Sequence, residues 1–448
     1  MRIMIVGAGQ VGHYLCEKLS VEGQEVVLVD SDENKLRKLE RDLNILPMRG
    51  SGASARVLEE AGIKQTDLFI AVTDSDEVNL IACILSKQYN VKRRIARVRN
   101  EDFYTSGEAL NEKALGIDLL ISPDIAMADE IMTLSQLSNA FAVAEFAGGQ
   151  VELLGYEVYK GNPMIGVTLH QMQAAKKRHT FIIVAIIRDG ETIIPRGDDR
   201  LASGDRIFLV ARKKDIHEVE ALFHFTSRAP KRVFIIGGGT IGFQVAKRME
   251  RKKVRVSVVD RDPKRCEFLT EQLAHSVVLN FDGLDSHELL QEGIDQADLV
   301  IAATHSDTTN ILSSLLAKHH GVRKCITKIT RPDFLPLLGK LGIDAPLSPR
   351  LVAANMILRF VRGSGNIVAV ATLLGSDAEV MELHVGPEAK FIGQALKEMK
   401  FPQNAVLGAV VRKGRVIIPS GETTLEEGDN LVVFFTREAL ARVEEFFR

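Results

Sequence analysis

Apolar residues along this chain gather in short runs of strand length. Over the first 124 residues the runs lie at 3–6, 26–29, 44–46, 68–72, 95–98 and 118–121. Helix-length segments separate them, such as Ser75 to Tyr89, which is apolar on one face. Alternation of strand and helix implies βαβ units, hence a parallel sheet with helices on both faces.

The pattern then changes. Phe181 to Ile187 is a continuous apolar run, followed by an Asp-Gly turn and Thr192-Ile193-Ile194. That order predicts a β-hairpin. Leu201 to Val210 adds a turn and a strand, and Asp215 to Phe225 reads as helical. The segments around 125–140 and 350–362 are expected to be helices that join one kind of module to the other.

Both patterns occur twice. Gly7-Ala8-Gly9-Gln10-Val11-Gly12 follows the first strand, and Gly237-Gly238-Gly239-Thr240-Ile241-Gly242 follows a strand 230 residues later. Val27-Leu28-Val29-Asp30 matches Ser257-Val258-Val259-Asp260 at the same offset. Asp67 to Thr73 resembles Asp298 to Thr304, and Asn79 pairs with Asn310, both offset by 231. Ser122-Pro123 and Ser348-Pro349 close each segment. The hairpins repeat as well: Arg188 to Pro195 pairs with Arg412 to Pro419, and Gly204-Asp205 with Gly428-Asp429, at an offset of 224. The chain therefore reads as a duplicated two-module unit. We call its modules N1 (1–124), C1 with its linker helix (125–228), N2 (229–350) and C2 with its linker helix (351–448). The expected fold class is α/β: two tandem Rossmann-like parallel-sheet domains, each followed by a small α+β domain. Ala229-Pro230, after Thr226-Ser227-Arg228, is the expected linker between halves.

Composition narrows the function little. The 448 residues carry a formal net charge of −2 and 26% charged residues, so no global attraction to nucleic acid is expected. Lys176-Lys177-Arg178 and Arg251-Lys252-Lys253 are short and read as solvated. Cys16, Cys83, Cys266 and Cys325 form no C-x-x-C pair, which points to reduced, buried thiols and no metal site. Met1-Arg2 leads straight into a strand, so no secretory signal is expected. No apolar stretch approaches the ~18 residues a membrane helix needs.

The glycine motifs carry the chemistry. In G-x-G-x-x-G after a strand, the first glycine permits the tight turn, the second lets the backbone approach a phosphate, and the third lets helix and strand pack closely. The following helix offers free N–H groups to an anion. Asp30 and Asp260 each lie 23 residues beyond the first glycine and suit a bidentate bond to ribose hydroxyls. Such an acid repels a 2′-phosphate, which favours NAD-type or simple adenosine ligands; Arg261 beside Asp260 weakens that exclusion in N2. Ligands of open α/β sheets sit outside the carboxyl ends of the strands. In N1 those ends supply Gly7 to Gly12, Asp30, Ser31, Gly50, Ser51, Thr73, Asp74, Arg97 and Arg99. In N2 they supply Gly237 to Gly242, Asp260, Arg261, Asp282, Thr304, His305, Lys328 and Arg331. Arg97 and Lys328 hold equivalent places, facing either a nucleotide phosphate or a neighbouring carboxylate.

No catalytic apparatus accompanies these motifs. A dehydrogenase needs an acid or base beside the nicotinamide and a substrate domain. Here the modules after N1 and N2 are short hairpin units. His13 corresponds to Phe243, and His305 to Asp74. His319-His320 reads as the exposed end of a helix. There is no G-x-S-x-G, no P-loop lysine and no Cys/His pair. We therefore expect no enzyme, no catalytic residue and no metal.

Over its whole length the chain resembles the RCK (regulator of K⁺ conductance) family, in the two-unit form found as peripheral subunits of Trk potassium uptake systems. The resemblance rests on Met4 to Gly12, Asp30, Ala71-Val72-Thr73-Asp74-Ser75-Asp76-Glu77-Val78-Asn79 and Ile95-Ala96-Arg97-Val98. In the C modules it rests on Ile193-Ile194-Pro195, Ile417-Ile418-Pro419 and the Gly-Asp before the last strand. It implies RCK N and RCK C domains, with NAD(H), ATP or ADP as regulatory ligands. It further implies a homo-oligomer, a tetramer for the two-unit type, with no nucleic acid partner. The membrane partner would be a potassium-translocating subunit of the TrkH/TrkG type, and the location the cytoplasmic face of the plasma membrane. The family often has Gly-Asp-Ala after the third strand. Here N1 has Gly50-Ser51-Gly52, without the acid, and N2 has Phe281-Asp282-Gly283. Lys328 cannot supply the planar fork that Arg97 offers a phosphate.

Three other readings share much of this pattern: an NAD-dependent oxidoreductase with tandem Rossmann domains, a regulator of another system such as a glutathione-gated potassium antiporter or a different ion channel, and a scaffold whose sites have lost their ligand.

Overall fold

A computed structural model of the chain describes residues 1–100, 115–137, 140–174, 181–225, 229–331, 334–339, 341–362, 367–372 and 378–447. Lys176-Lys177-Arg178 and Thr226-Ser227-Arg228 lie outside those residues. Contacts divide the chain into two compact units, 1–127 with 348–361, and 128–347 with 362–448. The chain thus does not divide at its midpoint: the helix Pro349–Arg362, which follows N2 in sequence, has nearly all of its residues in the unit built on N1.

In the first unit six strands form one sheet: β1 (Arg2–Val6), β2 (Glu25–Asp30), β3 (Leu46–Arg49), β4 (Leu68–Ala71), β5 (Arg93–Arg97) and β6 (Leu119–Ile121). Their order is β3-β2-β1-β4-β5-β6, and every pairing is parallel. Both faces are covered. Ile3 and Ile5 enter one buried cluster, and Met4 and Val6 enter the other. A side chain alternates face at each strand residue, so a sheet buried on both sides needs continuous apolar runs. The third strand begins two residues later than the apolar run suggested. It is an edge strand, where Ile45 is buried and Leu46 is exposed.

One of those clusters includes Ala353, Ala354, Ile357, Leu358 and Val361. These residues form a single stripe on the helix Pro349–Arg362. N1 therefore takes part of its core from a helix more than 200 residues away in sequence.

The second unit holds three sheets. The first C module contributes β7 (Ala140–Phe146), β8 (Val151–Glu157), β9 (Phe181–Arg188), β10 (Glu191–Ile193) and β11 (Arg206–Arg212), in the order β10-β9-β11-β8-β7. N2 contributes β12 (Arg232–Ile236), β13 (Arg255–Asp260), β14 (Val277–Asn280), β15 (Leu299–Ala302), β16 (Lys324–Lys328) and β17 (Ala345–Leu347), ordered as in N1 and all parallel. The second C module contributes β18 (Ile367–Thr372), β19 (Ala378–His384), β20 (Ala405–Arg412), β21 (Arg415–Ile417) and β22 (Asn430–Thr436), with the order of the first C sheet. Both C sheets are antiparallel.

The predicted hairpins are present, with a turn at Asp189-Gly190 whose residues both have positive φ. Strands β7, β8, β18 and β19 were not foreseen, because they alternate with small and polar residues. The predicted helix near 125–140 is Pro123–Ser135, and β7 begins five residues after it. The two C modules share one core: Phe141, Leu153, Val184 and Phe208 of the first module with Val380, Val432 and Phe434 of the second. Neither small sheet has to bury its apolar face alone. All four cysteines are free and buried. Among the described residues no helix is long and apolar enough to cross a membrane.

Candidate functional site

In each N domain the first strand runs into the glycine loop, and three glycines there have three different surroundings. Gly7 has φ +110°, and a Cβ on it would lie 2.9 Å from the Thr73 nitrogen. A Cβ on Gly12 would lie 1.8 Å from the Gly7 carbonyl oxygen. Gly9 has φ −70° and ψ −171°, and a Cβ on it would meet nothing within 4 Å. N2 repeats this. Gly237 has φ +104° and faces Thr304, and a Cβ on Gly242 would lie 2.0 Å from the Gly237 oxygen. Around Gly239 the one neighbour within 4 Å is Nε2 of His305, at 3.8 Å. Packing accounts for the first and third glycines. It gives no reason for the middle one, whose open face is what close approach of a phosphate requires.

Gly9 and Gly239 are also the N-caps of the helices Gln10–Val21 and Thr240–Arg251, and neither helix has a side-chain cap. The leading amides are left to an outside acceptor. Gln10 and Thr240 are exposed there, while Val11, Gly12, Ile241 and Gly242 are buried.

The acid at the end of the second strand is tied to the loop. Asp30 accepts from the Ala8 N–H at 2.5 Å and from the Asp32 N–H at 2.8 Å. Asp260 accepts from Gly238 at 2.7 Å and from Asp262 at 2.9 Å. Each carboxylate oxygen holds one backbone N–H and retains a second acceptor site. The acid can thus brace the loop and still accept from a hydroxyl.

Around this centre lie the other expected residues. Ser31 and Arg261 are exposed beside the acids. Gly50 has φ +159°, and a Cβ on it would lie 2.6 Å from the Val57 side chain. Ser51 and Asp282 each brace their own turn, accepting from Ala53 and Leu284. Arg97 and Arg99 both reach the exposed carboxylate of Asp74 at 3.5 Å. That contact is the carboxylate alternative posed for Arg97. Burial, and then the neighbouring Arg99, lower the Arg97 pKa, although a guanidinium stays charged. Its Nε is buried with no hydrogen-bond partner among the described residues. Lys328 donates to the Thr304 carbonyl at 3.2 Å. Arg331 is exposed and stacks on Phe334.

N2 encloses a cleft of about 600 Å³. Gly237, Gly239, Thr240, Asp260, Arg261, Asp282, Thr304 and His305 line it, whereas Gly238, Ile241, Gly242 and Lys328 do not. A Cβ on Gly238 would collide with Leu269, so that residue faces the helix Pro263–Gln272. Arg265 also lines the cleft, and its Nε donates to the Gly238 carbonyl. It was missed because it lies a turn into a helix, away from any strand end. The available signal was Asp262, an N-cap that places position 265 one turn along the same face.

A second missed pair is Asn79 and Asn310, both fully buried. Asn79 accepts from the Thr73 N–H at 2.8 Å and donates to the carbonyls of Thr73 and Arg97 at 3.1 and 2.8 Å. Asn310 does the same for Thr304 and Lys328. Each asparagine stitches the ends of two neighbouring strands together at the rim of the site. Their recurrence at one offset was the signal.

Comparisons with known proteins bear on these features. The TrkA-N domain model matches residues 3–123 and 233–349, and the TrkA-C domain model matches 153–224 and 380–448. The chain is 33% identical over 456 residues to "Trk system potassium uptake protein TrkA homolog 2" of Methanosarcina mazei, covering 100% of both chains. It is 34% identical over 453 residues to "Trk system potassium uptake protein TrkA" of Halomonas elongata, covering 100% of this chain and 99% of that one. Among solved structures it is similar to the GsuK RCK domain, with a TM-score of 0.61 and 22% identity over 100% of this chain and 94% of that one. It is also similar to the GsuK channel bound to NAD, with a TM-score of 0.61 and 22% identity over 100% and 78%. At that identity the structures speak to the fold, an RCK-type α/β arrangement.

Proposed function

This chain belongs to the TrkA family of Trk potassium uptake proteins, and from that premise we propose that it is a nucleotide-sensing regulatory subunit. Its relatives are named as components of a transport system and not as enzymes. The proposed ligands are NAD(H), ATP and ADP, bound in N1 and N2. A solved relative in fold, the GsuK channel, is bound to NAD.

The observation that carries this reading is the middle glycine of each loop. Gly9 and Gly239 have room that packing does not explain, beside an acid already oriented by the loop itself. In this reading the amides at Gln10 and Thr240 meet the phosphates. Asp30 and Asp260 take the ribose. Arg97, Arg99, Lys328, Arg261 and Arg265 supply positive charge around the phosphates.

Sensing follows from differential affinity. A ligand shifts a conformational equilibrium only as far as it binds the two states unequally. ATP, ADP and NADH differ in charge and in reach beyond the glycine loop, so each would favour a different arrangement of the strand ends. The proposed output is a change of shape in a homo-oligomeric ring, a tetramer, docked on the cytoplasmic side of a TrkH/TrkG-type potassium-translocating subunit.

The test has two stages. Isothermal titration of the full chain with NADH, ADP and ATP should give saturable binding, abolished in N1 by G9A and in N2 by G239A. Potassium flux through the membrane subunit, measured with and without this chain, should then depend on which nucleotide is present. Flux indifferent to the chain would overturn the regulatory role even if nucleotide binds.

A further inference from the structure

Strands β5 and β16 each have a cation at both ends. At the carboxyl ends stand Arg97, which reaches Asp74, and Lys328, which donates to the Thr304 carbonyl. At the opposite ends Arg93 and Lys324 hold the C-terminus of a linker helix. Arg93 donates to the carbonyls of Phe360 and Val361 at 3.3 and 2.8 Å, in the last turn of Pro349–Arg362. Lys324 donates to the carbonyls of Leu134 and Leu137 at 2.7 and 2.6 Å, at the end of Pro123–Ser135. Phe360, Val361 and Leu134 fall in the last turn of their helices, whose carbonyls have no partner within the helix ladder; Leu134 also accepts from the Leu137 N–H at 3.2 Å, and Leu137 lies two residues beyond its helix.

The two holds differ chemically. Arg93 is part-exposed, also rests on the Phe360 ring, and keeps its charge at every accessible pH. The Lys324 side chain is buried with two carbonyl acceptors and no carboxylate within ion-pair distance among the described residues. Two acceptors match the two hydrogens of a neutral amine. An ammonium brings a third hydrogen and a full charge into the same space.

We propose that Lys324 is a proton-operated latch: as the neutral amine it holds the linker helix Pro123–Ser135 against N2, and protonation loosens that hold, giving the protein a pH input separate from nucleotide.

The charged groups around it are accounted for. Asp344, after N2's last helix, is held by Lys318 at 3.0 and 3.1 Å and by the Cys325 N–H at 2.7 Å. Glu220, on the helix Ile216–Leu222, accepts from the Tyr156 hydroxyl at 2.9 Å and lies 3.6 Å from His217. Both acids favour the ammonium, but burial outweighs them and brings the Lys324 pKa down from 10.5 to about 7. A lysine released to water regains its ordinary value. Release therefore takes up a proton between about pH 7 and 10.5, so falling pH favours the open form across that window and has no further effect below it.

Hydrogen exchange on the full chain without nucleotide tests this. Protection at residues 131–137, corrected for intrinsic rates, should fall about thirtyfold between pH 8.5 and 6, levelling off below 7. The helix held by Arg93 should show no such step. K324M and K324R, with circular dichroism as the check on folding, should both flatten the profile, and H217Q should leave it as in the wild type. A flat wild-type profile, a step that survives in either Lys324 variant, or a step abolished by H217Q overturns the latch. Nucleotide binding enters none of these measurements, so the regulatory reading stands or falls separately.

Discussion

The side-chain amide of Asn79 donates to the backbone carbonyl of Arg97 at 2.8 Å, from a fully buried position on a neighbouring helix. Its other bonds go to the backbone of Thr73, so one side chain sets the spacing between the ends of β4 and β5. Replacement by leucine should leave the Thr73 N–H and the Arg97 carbonyl buried and unpaired. We expect N79L to destabilise the first unit by about 1–3 kcal/mol in denaturant titration. Nucleotide affinity in N1 should fall with it, and N310L should act the same way on N2.

The glycines separate packing from binding. A side chain on Gly12 meets backbone at 1.8 Å, and G12A should cost about 2–4 kcal/mol or prevent folding. G9A has open space and should change stability by no more than about 1 kcal/mol. It should nevertheless remove nucleotide binding in N1. Calorimetry on the two variants reads both effects, and retention of binding by G9A would remove the main support for a phosphate at that loop.

Arg97 and Asp74 make opposite predictions. Asp74 is exposed and shares its carboxylate between Arg97 and Arg99 at long range, 3.5 Å each. A ligand phosphate would compete with it for both cations. R97A should narrow the ATP-over-ADP affinity ratio by about tenfold, the worth of one charge-assisted bond, and D74A should widen it. Competition titrations at fixed ionic strength measure the ratio. Unchanged ratios in both variants would move the phosphate elsewhere.

In the C modules the repeated Gly-Asp has a structural role. Asp205 takes two bonds from Arg188, at 2.8 and 2.7 Å, and Asp429 takes two from Arg412, both at 2.8 Å. Each aspartate also accepts from a backbone N–H three residues earlier, in Ala202 and Glu426. The pairing raises the pKa of both arginines. The Arg188 side chain is 39% exposed and that of Arg412 22%, so water screens the first pair more. D429A should therefore destabilise by about 2–4 kcal/mol and D205A by about 1–3. Thermal unfolding of the two variants should show the larger loss for D429A.

Much of the architecture was legible in the order of residues. The glycine loops, Asp30 and Asp260, the βαβ alternation and the hairpins at Arg188 and Arg412 are local: turn geometry and burial on both faces of a strand leave their mark within a few residues. Duplication made each of these visible twice. Those parts of the site that lie on strand ends could be listed from sequence for the same reason. Arg265 and Asn79 lie within helices and meet the site only when a helix packs on the sheet; the cap at Asp262 and the repeat of Asn79 at Asn310 mark the positions but not what they touch. The division of labour between linker helices was decided by tertiary structure alone. The stripe Ala353, Ala354, Ile357, Leu358 and Val361 announces a helix with one buried face. Any apolar surface of the right shape satisfies such a stripe, because the hydrophobic effect has no direction and no memory of chain order. Only the folded chain places it on N1, and Pro123–Ser135 under the side-chain nitrogen of Lys324.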